Sequence, residues 1–165
     1  MHILIVGARG VGKSTLIRRV LEELKRPVWG FETKKEPLPN GPVYIYEAGK
    51  PHVQTDENLV GYCVDQHPTT LQAGFDRFAE KLRAPIPEKH IILLDELGFM
   101  ESASKTFCSA VLALLDGDAP VIAAVKDKNT DFLQAVRSHK NAKCFHITRE
   151  NRDELFLQVM DFFLP

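Results

Sequence analysis

The chain contains three continuous apolar runs, at residues 3–6, 91–94 and 121–125, and a fourth predicted strand at 144–147 in which His146 interrupts the apolar residues. Short runs of this kind are typical of strands that are covered on both faces of a sheet. After the first run, apolar residues recur every three or four positions from Leu16 to Leu24, and Pro27 ends the pattern. This spacing predicts a helix with one face on the sheet.

The second half of the chain alternates regularly between the two patterns. Helices are predicted at 104–115 and 130–136, between the apolar runs. Asn151 and Glu154 stand at capping positions of a last helix, whose apolar face is Leu155, Val159 and Phe162. Strands that alternate with helices at this spacing predict right-handed βαβ units and a mostly parallel sheet.

A segment of different character lies between the first helix and residue 82. Pro39-Asn40-Gly41-Pro42 separates two potential strands at 31–37 and 43–48, and Asn-Gly favours a type I′ turn. We therefore expect an antiparallel hairpin, with Pro37 and Pro42 confining its ends to edge positions. Residues 61–64 are expected to add a short strand. Pro68-Thr69-Thr70 predicts the start of a helix to about residue 82, with an apolar face of Leu71, Phe75, Phe78, Ala79 and Leu82.

Length, charge and cysteine content indicate the domain number, the kinds of partner and the cellular compartment. A chain of 165 residues with 44% hydrophobic content fits a single domain, residues 1–165. The net charge of −1 gives no overall field toward nucleic acid or an anionic membrane. Three widely spaced cysteines and the absence of a signal-peptide or membrane-spanning pattern predict a cytoplasmic protein with reduced thiols. Cys63 and His67 lack a second pair of ligands, so no zinc site is predicted there.

The first group of candidate binding residues directly follows the first predicted strand. Gly7-Ala8-Arg9-Gly10-Val11-Gly12-Lys13-Ser14-Thr15 fits the phosphate-binding P-loop pattern, between a predicted strand and a predicted helix. The glycines let backbone N–H groups wrap a polyphosphate, and the N-terminus of the helix faces the same anion. Lys13 is predicted to reach the β- and γ-phosphates, and the Ser14 hydroxyl to ligate Mg²⁺.

A pair of acids follows the apolar run at 91–94. Asp95 and Glu96 stand where the strand ends, which is the edge at which open α/β sheets bind ligands. Alone, such a pair is equally typical of a solvated loop. Beside a P-loop, Asp95 is predicted to hold Mg²⁺, and Glu96 to orient or deprotonate the water that attacks the γ-phosphate.

Three basic residues are further candidates for nucleotide contact. In nucleoside triphosphatases with a Glu directly after this Asp, an extra strand usually separates the P-loop strand from the acidic one. By that analogy the strand at 121–125 is central and Lys126 points toward the γ-phosphate. Arg149 and Arg152 follow the last strand at the same edge. A lysine lying along the surface and a solvated helix start are equally consistent with these positions.

The chain resembles the cancer-related nucleoside-triphosphatase family, first known from thermophiles, over nearly its full length. The matching pieces are the P-loop, Gly30-Phe31-Glu32-Thr33, residues 60–64, Asp95-Glu96-Leu97-Gly98-Phe99-Met100-Glu101 and Thr148-Arg149-Glu150-Asn151-Arg152. The resemblance implies a three-layer P-loop NTPase fold of the RecA-like type with an antiparallel hairpin insertion. It also implies slow, Mg²⁺-dependent hydrolysis of ATP, GTP and other nucleoside triphosphates.

One departure from the family concerns charge near the hairpin. Family members usually continue from the Gly-Phe-x-Thr element into Glu-x-Arg, whereas this chain has Lys34-Lys35-Glu36. Lysines would supply point charges without the bidentate geometry of arginine.

Two other functions use the same fold. One is a nucleotide or small-molecule kinase, although Arg137 is the only arginine between residues 120 and 148 and no arginine-rich lid is evident. The other is a nucleotide-dependent switch or adaptor, whose protein partner the sequence does not name. Guanine specificity has no support, because Lys126-Asp127-Lys128 lacks the pattern that reads this base.

Overall fold

The strands and helices follow one another as the apolar pattern predicts over most of the chain. The computed structural model describes residues 1–163. Its strands are β1 His2–Gly7, β2 Val28–Lys35, β3 Pro42–Glu47, β4 Leu59–Val64, β5 His67–Thr70, β6 Ile91–Leu97, β7 Val121–Lys126 and β8 Ala142–His146. Its α-helices are α1 Lys13–Leu24, α2 Gln72–Leu82, α3 Lys105–Asp116, α4 Asp131–Arg137 and α5 Arg152–Phe163, and Met100–Ala103 forms a 3₁₀ helix.

All eight strands form one sheet in the order β5-β4-β3-β2-β6-β7-β1-β8. The five strands from β2 to β8 in this order pair in parallel. Strand β7 therefore separates the P-loop strand β1 from the acidic strand β6, as predicted for residues 121–125. Because the strands are parallel, the residues that follow β1, β6 and β7 meet at one edge of the sheet.

The predicted hairpin is present, but its first strand lies inside the sheet. Strand β2 pairs antiparallel with β3 and parallel with β6, and Asn40 and Gly41 in the turn both have positive φ, 69° and 54°. The expectation that Pro42 lies at a sheet edge is wrong, because β3 is flanked by β2 and β4. Pro42 is the first residue of β3, a position where a strand tolerates proline.

Two apolar cores cover the two faces of the sheet. On one face, residues of β1, β6 and β7 pack with α2, α3 and α4, and the largest buried side chains there include Phe31, Phe75 and Phe107. On the other face, Ile3, Ile5 and Leu93 pack with α1 and α5. The sheet therefore lies between two helical layers, which confirms the predicted three-layer α/β class with an antiparallel part.

The start of α2 differs from the prediction. Pro68, Thr69 and Thr70 form strand β5 on the sheet edge rather than a helix start, and α2 begins only at Gln72. Leu71 is therefore not on the buried helix face, whereas the other four predicted positions are buried.

At the start of α5, Asn151 does not form the predicted capping pair with Glu154. Its Oδ1 instead accepts a hydrogen bond from the backbone N–H of Thr148 at 2.7 Å. Phe162, predicted on the buried face of this helix, remains 42% exposed.

Within residues 1–163, no helix combines the length and the apolar character needed to cross a bilayer.

Candidate active site

The P-loop connects the end of β1 to the start of α1. Gly10 and Gly12 have φ values of 78° and 104°, which side chains rarely adopt. A Cβ at Gly12 would also lie 3.1 Å from Cδ of Arg152, so a side chain there would meet both strain and a neighbour. Glycine at this position permits both the turn and the close approach of Arg152.

The Lys13 side chain is folded back into the loop and is only 5% exposed. Its ammonium group donates hydrogen bonds to the carbonyl oxygens of Gly7 and Ala8, both at 2.8 Å. It also lies 3.5 Å from Oε2 of Glu96. These partners hold a buried positive charge at the mouth of the P-loop, where an anion would be attracted.

Ser14 and Asp95 meet across the edge of the sheet. The Ser14 hydroxyl, in the first turn of α1, donates a hydrogen bond to Oδ1 of Asp95 at 2.9 Å. Burial raises the pKa of the Asp95 carboxyl, partly offset by the hydrogen bond from Ser14, and the charges of Glu96 and Glu32 raise it further. Glu32 stands directly opposite Asp95 in the β2–β6 register. A cation beside Asp95 would relieve this accumulation of negative charge.

Glu96 lies between two lysines. The β6–β7 pairing shifts register between Asp95 and Leu97, so Glu96 has no partner residue on β7. Its carboxylate is 3.5 Å from the ammonium of Lys13 and 3.5 Å from that of Lys126. The side chain is 29% exposed. Glu96 is therefore accessible from solvent while both neighbouring cations attract its charge.

These residues line one open cleft of about 340 Å³. The lining residues are Arg9, Gly10, Gly12, Lys13, Ser14, Thr15, Thr33, Asp95 and Glu96. All but Thr33 are predicted site residues. Thr33 belongs to the Gly-Phe-x-Thr element of the sequence, from which no chemical role for it is predicted. A groove of about 470 Å³ between β3 and α2 contains none of the predicted site residues.

The remaining basic residues are placed differently. Arg152 packs against Gly12, and its Nε donates to the carbonyl oxygen of Arg149 at 3.3 Å. Arg149 is exposed at the same end of the sheet. The charge of Lys34 acts on Asp95 and lowers its pKa, whereas Cε of Lys35 packs toward Gly41 in the hairpin turn. Of these two lysines, Lys34 is thus the one whose charge acts on the acid after β6.

A buried acid supports the loop that follows Glu96. The Glu101 side chain, 3% exposed, accepts a hydrogen bond from the backbone N–H of Gly98 at 2.8 Å. Burial raises the pKa of this carboxyl to about 7, against the lowering effect of its backbone hydrogen bonds and of Lys126. A Cβ at Gly98 would lie 3.2 Å from Cδ of Lys126, so the loop and the lysine stem are in close contact.

Comparison with known proteins agrees with this arrangement. The profile of the family described as NTPase matches residues 2–160. The chain belongs to the NTPase family. This assignment confirms the predicted family and the enzyme class, a nucleoside-triphosphatase.

Several curated relatives match nearly the whole chain. Nucleoside-triphosphatase THEP1 of Thermotoga petrophila is 28% identical, over 97% of this chain and 91% of the relative. The human cancer-related nucleoside-triphosphatase is 26% identical, over 96% of this chain and 94% of the relative. The crystal structure of THEP1 from Aquifex aeolicus superimposes with a TM-score of 0.76 over 100% of both chains at 23% identity, which supports the fold of this NTPase-family member.

Proposed function

We propose that this chain hydrolyses the β–γ phosphoanhydride bond of nucleoside triphosphates, with Mg²⁺ as cofactor and water activated by Glu96. The observation that carries the proposal is the position of Glu96, an accessible carboxylate 3.5 Å from the P-loop lysine in the same cleft. The chain would act as a single P-loop NTPase domain. Its relatives are named nucleoside-triphosphatases, which supports the reaction but leaves the base unspecified.

The P-loop would bind the polyphosphate. Backbone N–H groups from Gly7 to Thr15 and the N-terminus of α1 supply donors and a positive dipole. Lys13 would turn from the carbonyl oxygens of Gly7 and Ala8 to the β- and γ-phosphates. Arg9, which lines the cleft, and Arg152, beside Gly12, add positive charge near the same anion.

The donor set around Ser14 and Asp95 fits Mg²⁺. A hydroxyl and a carboxylate oxygen lie 2.9 Å apart, and Mg²⁺ in such sites takes one or two protein oxygens and completes its shell with water and phosphate. When bound, the ion would neutralise charge on the β- and γ-phosphate oxygens. Residues 1–163 contain no cluster of three or more acidic, His or Cys ligands, so a cage made only of protein is not the expected form.

The hydrolytic step follows from the positions of Glu96 and Lys13. Glu96 would accept a proton from water as the water oxygen forms a bond to the γ-phosphorus. The bond from the γ-phosphorus to the bridging oxygen breaks, and that oxygen keeps the electron pair on the departing diphosphate. Lys13, and Lys126 beside Glu96, would stabilise the negative charge that develops on the phosphoryl group.

Hydrolysis has better support than phosphoryl transfer to a second substrate. A kinase would need cations on a lid to hold the phosphoryl group away from water. Arg137, the only arginine between residues 120 and 148, instead donates to the carbonyl oxygens of Lys126 at 3.3 Å and Lys128 at 2.8 Å.

The test measures phosphate release from ATP and GTP with and without Mg²⁺. We expect Glu96→Gln to lower kcat at least 100-fold while retaining nucleotide affinity, and Lys13→Ala to lose triphosphate binding. The matched control is Glu23→Gln, an exposed glutamate on α1 away from the cleft. Unchanged release by the Glu96 variant would overturn the role of Glu96. Transfer of the γ-phosphoryl group to an added metabolite, in place of its release as free phosphate, would favour a kinase.

A further inference from the structure

One polar atom in the cleft wall is unexplained by the reaction as proposed. The Thr33 hydroxyl oxygen is buried and has no hydrogen-bond partner among residues 1–163. A buried hydroxyl without a partner costs about 1–3 kcal/mol, so native proteins rarely keep one without a use. Thr33 lines the cleft with Lys13 and Glu96, and rotation about its Cα–Cβ bond would turn the buried hydroxyl toward a partner in the cleft.

The sheet topology places Thr33 beyond Glu96 as seen from the P-loop. Glu32 is opposite Asp95 in the β2–β6 register, so Thr33 is level with Glu96 on the neighbouring strand. Strand β2 is three strand spacings, about 14 Å, from β1. In the proposed reaction the P-loop end of the cleft would hold the departing nucleoside diphosphate, and an in-line nucleophile would approach from the opposite side. Thr33 stands on that opposite side.

We propose that Thr33 is a catalytic residue that holds the attacking water together with Glu96. The Thr33 oxygen accepts a hydrogen bond from one O–H of the water, and Glu96 accepts the other. A lone pair of the water oxygen is then free to form the bond to the γ-phosphorus as Glu96 takes the proton. This inference rests on the proposed role of Glu96.

The Thr33→Val variant tests the proposal because valine keeps the shape and the β-branch but lacks the hydroxyl. We expect kcat for phosphate release to fall about tenfold, the value of one lost hydrogen bond in the transition state. The affinity for ATP should stay within twofold, since the phosphates are held at the other end of the cleft. Thr33→Ser, which restores the hydroxyl, should recover most of the rate.

Folding stability separates this role from a structural one. Removal of an unpartnered buried hydroxyl should leave the urea midpoint of Thr33→Val unchanged or higher, whereas loss of a structural hydrogen bond would lower it. The control is Thr70→Val, the same change in strand β5 outside the cleft, for which kcat should be unchanged. A combination of lower activity and equal or greater stability supports the proposal.

Three results would overturn it. The first is an unchanged kcat in Thr33→Val. The second is a loss of ATP affinity in Thr33→Val that accounts for its lower rate. The third is a lower urea midpoint in Thr33→Val, with both stability and activity restored in Thr33→Ser. Glu96→Gln measured in parallel identifies which idea has failed. If Glu96→Gln is slow and Thr33→Val is normal, only the role of Thr33 is wrong; if Glu96→Gln is normal, the proposed function is wrong as well.

Discussion

The buried carboxyl of Glu101 allows the effect of burial on the pH dependence of stability to be tested without a measurement of catalysis. The side chain is almost fully enclosed below the loop at Gly98, and burial raises its pKa from 4.5 to about 7. Between these two pH values the folded protein keeps a proton that the unfolded chain releases. Stability therefore falls as pH rises through this window, and the loss is complete above pH 7.

The size of the effect follows from the shift. A change from 4.5 to about 7 corresponds to about 3 kcal/mol of unfolding free energy. Glu101→Gln cannot titrate, and its amide oxygen can still accept the hydrogen bond from Gly98. We expect the unfolding free energy of the variant, relative to the wild-type protein, to rise by about 3 kcal/mol from pH 4 to pH 8.

The assay is urea unfolding at steps of pH, followed by the fluorescence of Trp29, the single tryptophan, which packs against the core. Exposed Glu23→Gln serves as the control and should run parallel to the wild-type protein at every pH. Parallel curves for Glu101→Gln would show that the folded carboxyl titrates normally, and the argument from burial would fail.

Two further predictions concern Lys126 and His2. Lys126→Met keeps the side-chain stem against Gly98 but removes the ammonium beside Glu96, so we expect kcat to fall about tenfold with little change in nucleotide affinity. The control Lys128→Met should have no effect. Unchanged turnover in Lys126→Met would exclude a role for Lys126 in the reaction. His2 accepts a hydrogen bond from Val121 N–H at 3.2 Å and donates one to the carbonyl oxygen of Leu115 at 2.9 Å, and burial lowers its pKa from 6.5. Its contribution to stability is therefore complete above pH 6.5 and declines below it. His2→Leu should cost about 1–3 kcal/mol at pH 8 and remove this decline in urea titrations, and a variant that keeps the same pH dependence would contradict the assignment.

The elements that local sequence patterns determine could be predicted from the sequence. Unbroken apolar runs identified β1, β6 and β7, an apolar stretch interrupted by His146 identified β8, and the P-loop with the acids after β6 identified the edge where the cleft lies. The central position of β7 also followed, by analogy with related triphosphatases.

Features that depend on tertiary neighbours were not predictable in this way. Pro68-Thr69-Thr70 carries a helix-start signal, but pairing with β4 makes it a strand. Nothing in the local sequence indicates that the Glu101 side chain or the Thr33 hydroxyl oxygen is buried, because both depend on tertiary neighbours. Their roles become visible only when β2, β6 and the loop at Gly98 are placed side by side.

Strand β2 divides the sheet into two parts that differ in how far their sequences can vary without altering the cleft. On one side it is paired with β6, where Glu32 is in register with Asp95 at the edge of the cleft. On the other side it begins an antiparallel ribbon whose outer strands β4 and β5 do not touch the P-loop strand. Insertions or substitutions in that ribbon can alter what approaches the cleft without moving the phosphate-binding groups. One arrangement of the P-loop can thus serve proteins that differ in the molecules they admit.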